Sequence, residues 1–177
     1  MKKLLFLSLI ALATILLYSC QKENLYSDSE DTELQIRAKK NTETPFKGTY
    51  TTYPRIINEG PGFLEAVVES EGNATHLGKS EWYGEGYIDL LDEPPSQVGP
   101  CYFVSANKDT LFGNYVGTIA LFDTNPVFTG EGTYEITHGT GRFIGTTGYG
   151  VYEYEVNLQE DFTFKGELIW DGVLINP

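Results

Sequence analysis

Only two histidines stand in the 177-residue chain, His76 and His138. Two imidazoles do not complete a catalytic zinc site, which takes three protein ligands, so a carboxylate would have to be the third. Glu81 and Glu85 share one strand face about 13 Å apart at about 3.3 Å per residue, beyond the roughly 5–9.5 Å between paired glycosidase carboxylates. Glu153 and Glu155 alternate with Tyr152 and Tyr154. The period of two that turns those tyrosines inward therefore turns the acids to water. No Gly-x-Ser-x-Gly elbow occurs, and Cys101 has no histidine or basic neighbour in sequence to stabilise a thiolate, so it reads as a small buried hydrophobe. The cluster Asp28, Glu30, Asp31 and Glu33 lacks the glycine and closing glutamate of a calcium hand. Gly139, Gly141, Gly145 and Gly148 imitate a phosphate loop, but they fall between strands rather than before a helix, so they read as turn glycines. No catalytic constellation, metal site or cofactor site emerges.

What remains is a set of candidate lining residues. On a strand taken to run over 74–89, His76 is in phase with Ala74, Gly78, Ser80 and Trp82. If that face is inward, His76 enters the interior beside small residues; the plainer reading is a core histidine held by one hydrogen bond. Tyr134, Tyr152, Tyr154, Phe128, Phe162, Phe164 and Trp170 fall on the presumed inward faces of the last three strands. Such a lining suits a solid core or a cup for a small apolar ligand, and the size of the side chains favours the solid core. His76, Trp82, Tyr134, Tyr152 and Tyr154 are the candidate ligand-binding residues.

The elements that would position them are strands. All 19 glycines lie at or after Gly48, and the aromatics concentrate there too, which sets the domain at 47–177. Within it, short runs alternate apolar and polar between glycine or Asx turns. In Phe128–Ile136, the residues Phe128, Gly130, Gly132, Tyr134 and Ile136 share one face and Thr129, Glu131, Thr133 and Glu135 the other. One wet face marks antiparallel strands. Eight strands are expected, near 48–56, 63–70, 74–89, 100–106, 110–121, 127–137, 149–157 and 162–171. Sequential hairpins of even number give an all-β, antiparallel up-and-down barrel, with a β-sandwich as the alternative. Inward glycines favour the barrel, because strong curvature needs positions without a Cβ.

Lys2 and Lys3 precede an apolar run, Leu4–Leu17, which as a helix covers about 21 Å and falls short of a hydrocarbon core of about 30 Å. The run reads as a signal peptide, residues 1–19. It ends in Leu17-Tyr18-Ser19-Cys20, which resembles the lipobox of bacterial lipoproteins. That resemblance implies a diacylglycerol thioether on Cys20, cleavage before it and acylation of the new amine, often by palmitate. Two or more acyl chains anchor stably, at about 0.8 kcal/mol per buried methylene. Cleavage would remove both lysines and no acid, taking the formal charge from −13 to −15. Gln21 stands where an aspartate would imply retention on the inner membrane, so the expected location is the outer membrane. Cys20-Gln21-Lys22-Glu23 also resembles a surface-export signal of some Gram-negative lipoproteins, and the periplasmic and surface sides both stay open. Residues 20–46 carry no glycine and little apolar patterning, as a lipidated N-terminus and flexible tether would.

From Gly72 onward the chain resembles a group of secreted bacterial proteins related to the allene oxide cyclase and dirigent barrels. The segments Gly72–Lys79, Phe103–Gly113 and Phe128–Gly148 carry the likeness. The last includes His138-Gly-Thr-Gly-Arg-Phe143, similar to a Gly-Gly-Thr-Gly-Arg-Phe turn joining two barrel strands, with His138 in place of the first glycine. The resemblance implies an eight-stranded, calycin-like barrel. No catalytic motif of the plant cyclases matches at any position, and most of the bacterial group has no assigned activity.

With 25 acidic residues against 12 basic ones, the chain repels phosphate backbones, which excludes nucleic acid as a partner. The expected function is a non-enzymatic, lipid-anchored binding or envelope-interaction module, with a small apolar ligand or an envelope protein as partner. The alternative is an isomerase or cyclase acting on a small lipophilic substrate in the lumen. Cys20→Ala, or globomycin treatment, should move the protein out of the membrane fraction; unchanged fractionation would remove the anchor.

Overall fold

The computed structural model describes residues 41–177. The signal peptide, Cys20 and the proposed tether up to residue 40 lie outside the described residues. Eight strands follow in order: β1 (Thr42–Gly60), β2 (Phe63–Ala74), β3 (Gly78–Asp89), β4 (Ser96–Ser105), β5 (Thr110–Leu121), β6 (Phe128–Gly139), β7 (Thr147–Leu158) and β8 (Phe164–Asn176). Each pairs antiparallel with the next, and β1 pairs with β8, closing an up-and-down barrel. Closure leaves no free strand edge.

Inward and outward residues alternate as the sequence requires. Tyr152 is buried and Tyr154 half-buried on β7, while Glu153 and Glu155 are exposed; on β6, Tyr134 and Ile136 are buried and Glu131 and Glu135 exposed. On these stretches the rings and branched chains face in and the acids face out, the alternation of an antiparallel sheet with one wet face.

The inward glycines make room for the rings. The Trp82 indole lies where a Cβ on Gly84 would stand, the Tyr154 ring where one on Gly130 would, and the Tyr152 hydroxyl over both Gly117 and Gly132. Large side chains thus lie along the wall and interlock edge to face: Tyr134 meets Trp170 at 4.8 Å between ring centroids and Phe46 meets Phe103 at 5.3 Å. The packing leaves Trp170 Nε1 and Tyr134 Oη buried without hydrogen-bond partners.

The two ends of the barrel differ. At one end the chain enters, and the β2–β3, β4–β5 and β6–β7 turns gather. Phe46, Leu77, Phe103, Leu111 and Leu174 fill the interior there, and Phe143, on a short 3-10 turn over Gly141–Phe143, caps it. Arg142 holds the cap in place: its guanidinium lies 4.8 Å from the Phe143 ring, donates to the His76 carbonyl at 2.9 Å and stands 3.7 Å from Asp109. The other end carries the β1–β2, β3–β4, β5–β6 and β7–β8 connections.

Several boundaries differ from those expected. β1 begins at Thr42 and buries Phe46 completely, so the barrel starts before residue 47; pairing with β8 holds Thr42–Lys47 in the sheet. The expected strand over 74–89 is broken at 75–77 by a turn with His76 at φ 66°, because Ala74 and Gly78 face each other across the hairpin. β4 starts at Ser96 rather than residue 100. Its ladder to β3 skips the residues around Pro100, which has no N–H to give, and Tyr115 Oη donates to the Glu85 carbonyl there at 3.2 Å. Phe162 sits in the β7–β8 loop, 83% exposed, and not on an inward face.

A methyl group at Gly132 would meet the Val116 carbonyl, lie 2.6 Å from Gly117 Cα and 2.8 Å from the Tyr152 hydroxyl. Backbone cannot yield as a side chain can. Gly132→Ala should therefore cost ~1–3 kcal/mol in urea unfolding, whereas Glu131→Ala next to it should stay within about 0.5 kcal/mol.

Candidate functional site

The filled half of the barrel stops at mid-height. Above it, towards the end with the β1–β2, β3–β4, β5–β6 and β7–β8 connections, the interior holds a cavity of about 80 Å³. A cavity of about 150 Å³ accepts benzene and about 10–15 Å³ admits one water. The cup is therefore larger than a water site and smaller than a benzene site, room for a short stretch of aliphatic chain. Trp82, Trp170 and Tyr152 form its floor, and Leu64, Ala66, Ile88, Ile119, Phe128 and Phe164 line its upper wall. No Asp, Glu, His, Lys, Arg, Cys or Ser is among the lining residues.

Besides the Thr52 hydroxyl of β1, a polar cluster interrupts the apolar wall. Gln97, 4% exposed, extends inward from β4. Its Nε2 donates to the Thr118 carbonyl at 3.2 Å and to Tyr152 Oη at 3.1 Å, and its Oε1 accepts from Tyr154 Oη at 2.8 Å. Only an NH₂ group can donate to a carbonyl, so Thr118 fixes which way the amide points. That orientation has a chemical consequence. The Tyr152 oxygen is an acceptor to Gln97, which leaves its own O–H as a donor, and the Tyr154 oxygen keeps lone pairs free. The cup can thus offer one hydroxyl donor and one hydroxyl acceptor to an apolar guest.

None of these groups ionises near neutral pH. Burial pushes the hydroxyls of Tyr115, Tyr152 and Tyr154 above the ordinary tyrosine value; in Tyr152 the neighbouring Tyr154 and Tyr115 add to the effect and the Gln97 hydrogen bond opposes it. Burial likewise pushes the Cys101 thiol up to about 12, with the Trp82 indole pulling the other way. Among the described residues, no three His, Cys, Asp or Glu side chains converge as metal ligands. The cup can bind and orient a guest. It presents no base to take a proton and no activated nucleophile.

Of the residues singled out in the sequence, Trp82, Tyr152 and Tyr154 come together on this lining. Tyr134 is buried but lies below the cup, packed between Phe46 and Trp170. His76 is corrected outright: it lies on the exposed β2–β3 turn at the capped end, its Nε2 3.1 Å from the Pro45 carbonyl, and it does not enter the interior. His138 is exposed at the end of β6, stacked on Phe112 at 4.7 Å. The sequence reading also missed Gln97. Counting back by twos from the inward residues Ser105, Phe103 and Cys101 reaches Gly99 and then Gln97, but a strand begun at residue 100 hides it.

No protein-family model matches the chain, and no curated protein matches it.

Because folded-state values for Tyr50, Tyr115, Tyr134, Tyr152, Tyr154 and Cys101 are raised, each contributes stability that is complete below its unfolded value and lost as pH climbs towards the folded one. Stability should fall from about pH 9 upward. In an absorbance titration at 295 nm, these five tyrosines should ionise only together with loss of the near-ultraviolet circular dichroism.

Proposed function

We propose that this chain is a lipid-anchored outer-membrane protein whose barrel is a non-enzymatic binding module, and that the cup takes the apolar end of a small molecule. The observation that carries the reading is the cavity itself: an uncharged, aromatic-floored space opening at one end of an otherwise filled barrel. A barrel of eight strands has just enough interior to be packed solid or to hold one small ligand. Here the capped half does the first and the other half is left for the second. The described chain enters the barrel at the capped end, through Thr42, and the mouth lies at the other end of the strands.

The isomerase or cyclase alternative calls for an acid–base pair in the lumen, with His76 as one member. His76 is elsewhere, and the neutral hydroxyls and amide of the cup favour retention of a guest over proton transfer to or from it.

The two tryptophans of the chain, Trp82 and Trp170, both lie on the cup floor, so intrinsic fluorescence reports occupancy directly. Straight-chain alcohols such as octanol should change that fluorescence saturably. Ala66→Leu, which fills the cup from β2, should weaken octanol binding at least tenfold while Tm stays within a few degrees. Native mass spectrometry of protein from its own cells should show a small-molecule adduct on the wild type and none on the variant. A wild type indifferent to the alcohols would end the binding reading.

A further inference from the structure

The mouth of the cup has a composition that its interior lacks. The last turn of β1 and three of the four connections around it each expose a large apolar side chain beside at least one acid. The β1–β2 hairpin shows Ile57, displaced at a bulge and 52% exposed, with Glu59. The β3–β4 loop shows Leu91, 78% exposed, with Asp92 and Glu93; the β5–β6 loop Phe122 with Asp123; and the β7–β8 loop Phe162 with Glu160 and Asp161. No Lys, Arg or His occurs on these connections. The nearest cations, Arg55 and Lys165, stand on the outer walls of β1 and β8, and Lys165 lies 5.9 Å from the Tyr53 ring. The only ion pairs among the described residues, Lys47–Asp171 and Arg142–Asp109, are at the capped end. Among the described residues, none of the mouth acids is in an ion pair.

We infer that the cup selects cationic amphiphiles: molecules with a slender aliphatic tail that enters the lumen and a positively charged, ammonium-like head that rests among the mouth acids. This rests on the reading of the lumen as a binding site and adds the charge class of its ligand. The tail is set by the narrow, uncharged interior, where a charge would be desolvated without a partner. The head is set by the rim. A carboxylate or phosphate head at the same depth would sit inside a ring of like charge, with no cation within the loops to neutralise it, whereas an ammonium gains from every carboxylate around it. Leu91, Phe122 and Phe162 would then cover the first carbons of the tail where it leaves the cup.

Three probes of equal tail length separate the contributions: octylammonium, octanol and octanoate, followed by tryptophan fluorescence at low ionic strength. Octylammonium should bind tightest and octanoate weakest, with about tenfold or more between them. In 1 M salt, where screening acts over about 3 Å, the three should converge. Some mouth acids also shape their loops: Asp89 accepts from the Leu91 N–H, Asp92 from Ser96 and Asp161 from Thr163. Glu93, Asp123 and Glu160 carry none of those bonds, so the triple variant Glu93→Gln, Asp123→Asn, Glu160→Gln should fold normally. It should bind octanol as before and lose most of the preference for octylammonium. Octanoate binding as well as octylammonium, or a preference untouched by salt and by the variant, would overturn the charge selectivity while octanol binding kept the lumen reading intact. Failure of all three probes to bind would remove both.

Discussion

Aromatic rings laid against glycine backbone are the contact on which the rest of this barrel depends. An eight-stranded barrel has a narrow interior, and this chain directs two tryptophans and a series of tyrosines and phenylalanines into it. They fit because the strand beneath a ring presents glycine where a Cβ would collide with it: Gly84 under Trp82, Gly130 under Tyr154, Gly117 and Gly132 under Tyr152. The same glycines let neighbouring strands bend sharply enough to close. The arrangement has a cost, seen in the unpaired Trp170 Nε1 and Tyr134 Oη. An unpaired buried polar atom costs about 1–3 kcal/mol, and burial of several whole rings outweighs it.

From that packing follows the asymmetry along the axis. Where β1, β2, β6 and β8 bring Phe46, Ala74, Ile136 and Leu174 inward, rings and branched chains interlock and Phe143 closes the end, steadied by Arg142 across three turns. Towards the mouth the strands continue past the tryptophans of the floor, and some inward positions carry small side chains, Ala66 and Gly86 among them, facing Phe128 and Phe164 on the upper wall. Space is left where the small inward residues do not fill the width of the barrel. Gln97 stands at that transition, joining β4, β5 and β7 through one amide.

A site of this kind favours holding over transforming. Its hydroxyls are kept neutral by burial, its amide is committed on both faces, and no acid among the described residues lines it. The distribution of charge, none on the lining of the cup and only acids on the connections at its entrance, is the feature on which the proposed choice between amphiphiles rests.

Much of this was already determined by the amino-acid sequence. Period-two alternation set which residues of β6 and β7 face inward, because a strand has only two faces and the glutamates must take the wet one. Even-numbered hairpins and inward glycines made a closed barrel the economical arrangement. The Cys20 motif, read by position alone, lies beyond the described residues and stands on the sequence. Tertiary structure decided the rest. Whether His76 sits mid-strand or in a turn depends on the register that sets Ala74 opposite Gly78, a relation between two strands that no local pattern encodes. Phe162 has the alternation of an inward residue, yet the Asp161–Thr163 turn places it in the loop. And the cup is a difference between the volume that eight strands enclose and the volume their side chains fill, a quantity that exists only once the barrel has closed.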